Sequence, residues 1–101
     1  MRHLALLILV LLCVGCAVTR ERATEIATRE LARRSLVLPR GHTLQVVEGD
    51  ETVAGADRHK IWVAIFGTEH LRDRLYTVYI DQRTGRVSGV WGYRAGEPYQ
   101  L

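Results

Sequence analysis

Two cysteines stand three positions apart at the end of the first apolar segment of the chain. Cys13 and Cys16 enclose two small or apolar residues, and charged residues begin at Arg20. A CxxC pair suits thiol redox exchange or half of a zinc site, and a redox pair normally lies at the start of a helix that follows a strand. No strand pattern precedes Cys13, so the sequence favours another use of these sulfur atoms.

The segment before the cysteines is typical of a signal peptide. Arg2 and His3 precede an apolar run that covers residues 4–14. A membrane-spanning helix needs about 20 apolar residues, whereas a signal peptide needs a basic start, about 7 to 15 apolar residues and a small residue at the cleavage site. The run therefore predicts a cleaved leader.

The end of this leader, Val14-Gly15-Cys16, resembles the lipobox of bacterial lipoproteins. The resemblance implies that residues 1–15 are removed and that Cys16 receives diacylglycerol and becomes the new N-terminus. Cys13 departs from the pattern, because the lipobox most often has leucine there, and it would leave with the leader. An ordinary cleaved signal peptide or an uncleaved anchor is the alternative.

A lipid on Cys16 would make the membrane a partner of the protein, with residues 16–20 as a short tether. Each buried acyl methylene contributes about 0.8 kcal/mol, so two or more chains anchor a protein stably. Ala17 stands where lipoproteins retained at the inner membrane of Gram-negative bacteria have aspartate. The resemblance therefore implies a lipid anchor in the outer membrane, with the body facing the periplasm.

The net charge and the length of the chain limit the kinds of protein that it can be. The chain has 14 basic and 11 acidic residues and a net charge of +3, which is too small and too evenly spread to predict nucleic-acid binding. Residues 21–93 suit one small domain with a single core. We predict no cofactor.

The residues that could perform chemistry are scattered along the chain. His42, His59 and His70 show no helical HxxxH or HxH spacing, and metal sites need three or four converging ligands, so no metal site is predicted. Ser35 or Ser88 could be assembled with a histidine and an aspartate, but neither lies on a strand-to-helix elbow. We therefore predict that the protein is not an enzyme.

An amphipathic helix is predicted from Thr19 onward. Its narrow apolar stripe suits a helix laid closely on a sheet and consists of Ala23, Ile26, Ala27 and Leu31. Glu25 with Arg29 and Glu30 with Arg34 are expected to pair four positions apart. The sequence LPRG at residues 38–41 ends the helix.

Two strands follow, at residues 42–48 and 60–67. The second is apolar on both faces, with Trp62 and Phe66 on one face and Ile61 on the other. We expect a helix to shield one face and to leave the face of Trp62 and Phe66 for a partner, a second subunit or the chain's own tail. An extended peptide could also pair with the sheet near these residues by strand addition.

Residues 75–93 predict a closing hairpin. Asp81 is expected to cap the turn, and Gly85 to supply the positive φ that closes a four-residue loop. The predicted pairs are Ile80 with Val87, Val78 with Gly89, and Tyr76 with Trp91. Residues 94–101 are expected to form a flexible tail.

The hairpin sequence IDQRTGRV, residues 80–87, resembles the V-D-x-x-T-G-x-V motif that closes domains of the PepSY family. The order of helix, strand, long strand and hairpin is also similar. The resemblance implies an α+β fold with one helix on a largely antiparallel four-stranded sheet.

The same resemblance implies a non-catalytic envelope module that binds or restrains peptidases. The predicted function is therefore a lipid-anchored protein-binding or regulatory module. The alternative is an accessory or scaffolding lipoprotein of outer-membrane assembly or envelope integrity.

Overall fold

The chain folds into one helix and one antiparallel sheet, as a computed structural model describes for residues 17–52, 58–69 and 73–101. The elements follow in the order α1 (Arg20–Arg33), β1 (Thr43–Thr52), β2 (Arg58–Gly67), β3 (Arg74–Asp81), β4 (Val87–Arg94) and β5 (Glu97–Gln100). This is the predicted α+β class, with the helix packed against one face of the sheet.

Helix α1 begins and ends at residues with defined capping roles. The Thr19 hydroxyl accepts a hydrogen bond from the Arg22 amide at 3.1 Å, which satisfies one of the free N–H groups of the first turn. At the other end Ser35 has φ +58°, and the Leu36 amide donates to the carbonyl of Leu31 at 2.9 Å. This is a Schellman ending with serine at the position where glycine is usual.

The charge pairs along the helix differ in part from the expected ones. Glu30 pairs with Arg34 as predicted, with Oε1 and Nε 2.9 Å apart. Glu25 instead pairs with Arg22, three positions earlier, at 2.8 Å. On a helix surface, side chains three and four positions apart are both neighbours, so Glu25 can pair with Arg22 as readily as with Arg29.

The sheet has five strands in the order β1-β2-β3-β4-β5, each antiparallel to its neighbour. The prediction of four strands was therefore wrong, and so was that of a flexible tail at residues 94–101. Ala95 and Gly96 both have positive φ and turn the chain back, so that β5 pairs with β4. The Leu101 amide also donates to the Val90 carbonyl at 2.9 Å.

The turn between β3 and β4 has the geometry that its predicted residues require. The Asp81 carboxylate accepts hydrogen bonds from the amides of Arg83 and Thr84 at 2.7 and 3.1 Å, and Gly85 has φ +76°. Glycine reaches this backbone conformation without steric cost. The turn therefore closes with the loop of residues 82–85 between the two strands.

The hairpin register agrees with the prediction only beside the turn. Ile80 pairs with Val87, but an irregularity between Tyr79 and Ile80 shifts every later pair by one residue. Val78 therefore lies opposite Val90, and not opposite Gly89. A bulge of one extra residue moves all following side chains to the other face, so Val90 enters the core and Trp91 leaves it.

The core lies between α1 and the sheet. Its buried side chains are Ala23, Ala27, Leu31, Val46, Trp62, Ala64, Phe66, Val78, Ile80 and Val90. Ala23 and Ala27 are fully buried, and their small size brings the helix close to the strands. The prediction that Trp62 and Phe66 form an open face is corrected, because the helix covers this face and leaves the rings 8% and 1% exposed.

Several predictions fall outside the described residues. Cys13, Cys16 and the cleavage site belong to residues 1–16, and His70 belongs to residues 70–72. Among the residues that the structure does describe, no helix is long and apolar enough to cross a membrane.

Candidate interaction surface

The face of the sheet opposite the helix carries two rows of uncharged side chains. Antiparallel register places one row across β1 to β4 and the next row across all five strands. Together they form the open face: Val47, Val63, Tyr79 and Gly89 in the first row, and Gln45, Ile65, Thr77, Trp91 and Gln100 in the second. The open face is thus a continuous surface of apolar and neutral polar groups.

Most large side chains of the open face are half-buried. Val47, Val63, Ile65, Tyr79 and Trp91 fall in this class, and no helix of the described residues lies over them. On the helix face the corresponding strands place Val78, Ile80 and Val90 at 0 to 1% exposed. The difference follows from the position of α1, which contacts one face only.

Aromatic rings give the open face its shape near β4. A side chain on Gly89 would meet the indole nitrogen of Trp91 and a ring carbon of Tyr79, each at 3.5 Å. The two rings therefore both lie close to Gly89. Aromatic rings thus flank the centre of the open face near β4.

A polar contact on this face ties two strands together. The hydroxyls of Thr77 and Tyr93 are 2.9 Å apart, and Thr77 is 2% exposed. A buried hydroxyl without a partner would cost free energy, so the Tyr93 ring both covers and satisfies Thr77.

A second feature lies at the end of the sheet formed by the β3–β4 turn. The chain before the helix is held there by two hydrogen bonds: the Val18 amide donates to the Gln82 carbonyl at 2.7 Å, and the Trp62 indole N–H donates to the Val18 carbonyl at 2.8 Å. Trp62 is thus a clamp for the N-terminal segment.

Other contacts make this clamp rigid. The Gln82 amide donates to the Lys60 carbonyl at 3.1 Å, and its side-chain amide donates to the Ile61 carbonyl at 3.2 Å. The guanidinium of Arg20 lies 5.6 Å from the ring centre of Trp62, within the range of a cation–π contact. Residues 18–20 therefore belong to the folded body rather than to a loose tether.

The far end of the helix holds a charged cluster. Glu30 accepts hydrogen bonds from Arg33 and Arg34, which lower the pKa of its carboxyl from 4.5 to about 2. The carboxylate side chain is only 13% exposed, whereas Arg33 is 67% exposed. The cluster places two cations at the C-terminal end of the helix, where the helix dipole favours them.

A groove of about 530 Å³ runs between the helix and the β3–β4 turn. Its apolar walls are Ile26, Gly85 and Val87, and its rim carries Arg29 and Glu30. Because Arg29 is exposed and Glu30 is already paired, the groove presents no buried polar group that would select a ligand. We regard the open face as the better defined surface.

Three of the residues considered for chemistry have structural contacts. The Ser88 hydroxyl donates to the Tyr79 carbonyl at 3.4 Å, Asp81 caps its turn, and a ring nitrogen of His42 lies 3.0 Å from the Pro39 carbonyl. Within the described ranges, histidine, cysteine and acidic side chains do not cluster in threes.

Sequence reasoning missed both of these structural features. Apolar alternation in β2 identified two faces but did not say which one the helix covers. The clamp at Val18 was not predicted either. A signal for it exists, because a tryptophan needs a partner for its N–H when it is buried, and Trp62 is predicted in a strand close to the helix.

Comparison with known proteins adds no relatives. No family model matches the chain, and no curated protein or solved structure is significantly similar to it.

Proposed function

We propose that this chain is a bacterial lipoprotein whose folded body binds another protein chain without catalysis. In this proposal the leader of residues 1–15 is removed, Cys16 carries the lipid, and the body faces the periplasm from the outer membrane. The order of one helix and antiparallel strands, together with the Asp81 to Gly85 turn, supports a PepSY-like domain.

The observation that carries protein binding is the open face. Uncharged side chains that are half-buried on β1 to β4 form the kind of contiguous apolar surface that marks interaction sites on small proteins. Trp91 and Tyr79 are residue types that are enriched at such sites. This surface replaces the face of Trp62 and Phe66 as the proposed binding surface.

The clamp supports a body that stays close to the bilayer. Val18 is the second residue after Cys16, and two extended residues span about 7 Å. If Cys16 carries lipid, the end of the sheet with the β3–β4 turn lies next to the membrane surface. The strands then point away from the membrane and present the open face sideways to neighbouring proteins.

Metabolic labelling with an alkyne fatty acid tests the lipid anchor. The parent chain and the control Cys13→Ser are expected to incorporate the label and to fractionate with membranes, while Cys16→Ser is expected to do neither. Equal labelling of Cys16→Ser and the parent would contradict the lipoprotein assignment. Loss of the label in Cys13→Ser alone would contradict it as well.

Photo-crosslinking tests the binding surface. A photoreactive residue at Gln45, on the open face, is expected to capture a protein chain in intact cells, whereas the same residue at the exposed helix position Thr28 is not. Capture of a peptidase supports a regulatory module, and capture of barrel-assembly components supports the scaffolding alternative. Equal capture from both positions would contradict a binding role of the open face.

A further inference from the structure

We propose that the edge of β4 beside the helix binds an extended, acidic segment of a partner protein, which joins the sheet as a further strand. This site depends neither on the open face nor on the proposed lipid anchor, and it gives the same body a second contact surface. Three observations carry the inference: a stretch of strand without a neighbour, a cleft beside it, and the charge of the cleft.

Strand β4 is longer than the strand that pairs with its outer side. Strand β5 pairs with residues 91–94, and the Leu101 amide donates one more hydrogen bond to the Val90 carbonyl. Within the described ranges no strand lies beside residues 87–89 on that side, and we call this stretch the free edge. A strand edge offers backbone N–H and C=O groups to an extended chain. A peptide in line with β5 would therefore continue the sheet by strand addition.

A cleft runs along the free edge beside the helix. The groove of about 530 Å³ next to the β3–β4 turn is followed by a second groove of about 370 Å³ that reaches Val90. The two grooves share Glu30, Arg33 and Val87 in their walls, so they form one continuous space, the edge cleft. It follows the chain from Gly85 to Val90, a stretch that at about 3.3 Å per residue accommodates an extended segment of about five residues.

The edge cleft offers apolar contacts on its helix side. Ile26 and Val87 pack against the core but are only half-buried, and Ala32 is exposed. Side chains of an added strand alternate between the two faces of the sheet, so every second one points toward the helix. Apolar side chains at those positions would remove Ile26 and Val87 from water, which adds to the backbone hydrogen bonds of strand addition.

The charge of the edge cleft selects an acidic occupant. Its walls contain Arg29, Arg33 and Arg34 but a single acid, Glu30. Glu30 already pairs with Arg33 and Arg34, whereas Arg29 is exposed and forms none of the ion pairs resolved among the described residues. Arginine binds carboxylates through paired, charge-assisted hydrogen bonds. An acidic segment therefore complements the cleft, and a basic segment is repelled by it.

The opposite edge of the sheet differs in charge. Strand β1 is the other end of the described sheet, and it carries the exposed acids Glu48 and Asp50. The groove of about 250 Å³ beside them is lined by these two acids together with Gly49, Lys60 and Gln82. Like charges on adjacent strands are destabilising, so β1 does not suit an acidic strand. Of the two edges, charge and shape thus assign the acidic segment to β4.

Titration of the full chain in mild nonionic detergent with a fluorescent peptide tests the site. The probe is a blocked peptide of alternating glutamate and valine, and its fluorescence anisotropy is expected to show saturable binding that weakens as salt is added. The matched peptide with lysine in place of glutamate should bind at least about tenfold more weakly, because it meets like charge. The glutamate peptide with N-methylated backbone amides keeps its charge but cannot donate to a strand, and it should also lose at least about tenfold in affinity.

Two charge reversals and one spectrum locate the site. Arg29→Glu changes an exposed residue of the edge cleft and should weaken binding of the glutamate peptide at least about threefold. Arg40→Glu is the matched control, because it makes the same change in charge at an exposed residue before β1, and it should leave the affinity nearly unchanged. In the NMR spectrum of the isotopically labelled full chain, the glutamate peptide should shift the backbone amides of residues 87–90 most.

Several results would contradict strand addition at the free edge. These are no binding of the glutamate peptide, equal binding of the lysine or the N-methylated peptide, and equal affinities of Arg29→Glu and Arg40→Glu. Largest shifts in β1 or on the open face would contradict it as well. Its failure leaves the lipid anchor and the open face to their own tests, which depend on Cys16 and Gln45.

Discussion

The two faces of the sheet carry similar apolar residues, but the helix covers only one of them. Strand β2 contributes Trp62, Ala64 and Phe66 to one face and Ile61, Val63 and Ile65 to the other. The first set is buried under the helix. In the second set Val63 and Ile65 are half-buried, and Ile61, nearer the end of the strand, is 5% exposed. The difference shows that hydrophobicity alone does not identify the core of a small domain, because one helix can cover only one face.

The largest effect is expected from a truncation on the helix face. Phe66 is 1% exposed and among the largest fully buried side chains of the described core, so Phe66→Ala leaves a cavity and should cost about 3 to 5 kcal/mol. A small domain has a low free energy of unfolding, so the Phe66→Ala variant should be largely unfolded even without denaturant. Chemical denaturation of the full chain in mild detergent measures this loss. A loss below about 1 kcal/mol would mean that this face is not the core.

A matched pair of valines sharpens the comparison between the faces. Val78, on the helix face, is fully buried, whereas Val63, on the open face, is half-buried. Val78→Ala should lower the free energy of unfolding by about 2 kcal/mol and Val63→Ala by about half of that, because less apolar surface is buried at Val63. Equal losses in a dilute, monomeric sample would contradict the assignment of the two faces.

The charged cluster at the end of the helix predicts a pH dependence. The pKa of Glu30 falls from 4.5 to about 2 on folding, so its contribution is fully present above pH 4.5 and is lost as the pH falls toward 2. Glu30→Gln should cost about 1 kcal/mol at neutral pH, a value reduced because Arg33 is mostly exposed to solvent. Denaturation at several pH values should show the gap between parent and variant closing in acid.

Glu25→Gln is the matched control for that experiment. Glu25 also pairs with an arginine, but both side chains are at least half exposed, so its loss should cost less than about 0.5 kcal/mol. An effect of Glu30→Gln that is no larger, or that does not change with pH, would contradict the role of this cluster.

A stabilising effect is expected just after the end of the helix. Ser35 adopts φ +58°, a backbone conformation that costs free energy for any residue with a Cβ atom but not for glycine. Ser35→Gly should therefore raise the free energy of unfolding by about 0.5 to 1 kcal/mol. Ser35→Ala, which keeps the strained conformation and removes only the hydroxyl, should not raise it.

Local features of the sequence predicted much of this fold. Thr19 and the stripe that includes Ala23 and Ala27 predicted the helix, and Asp81 with Gly85 predicted the loop of residues 82–85. These features depend on residues within one turn of each other, so short-range spacing is enough to read them.

Features that depend on distant contacts were not predicted. The bulge that sends Trp91 to the open face and the pairing of β5 with β4 are decided by the fit of whole strands. Tertiary packing likewise decides which face of the sheet the helix covers. Because the helix covers Trp62 and Phe66, the proposed binding surface is the opposite face.

The two tryptophans of the chain provide the most direct test, because each lies on a different face. Oxidative footprinting of the purified protein in dilute detergent should modify Trp91 much faster than Trp62, because Trp62 is buried under the helix. On native membranes, where the open face is proposed to be covered, modification of Trp91 should slow while that of Trp62 stays low. Faster modification of Trp62 than of Trp91, or no protection of Trp91 on the membrane, would contradict the account.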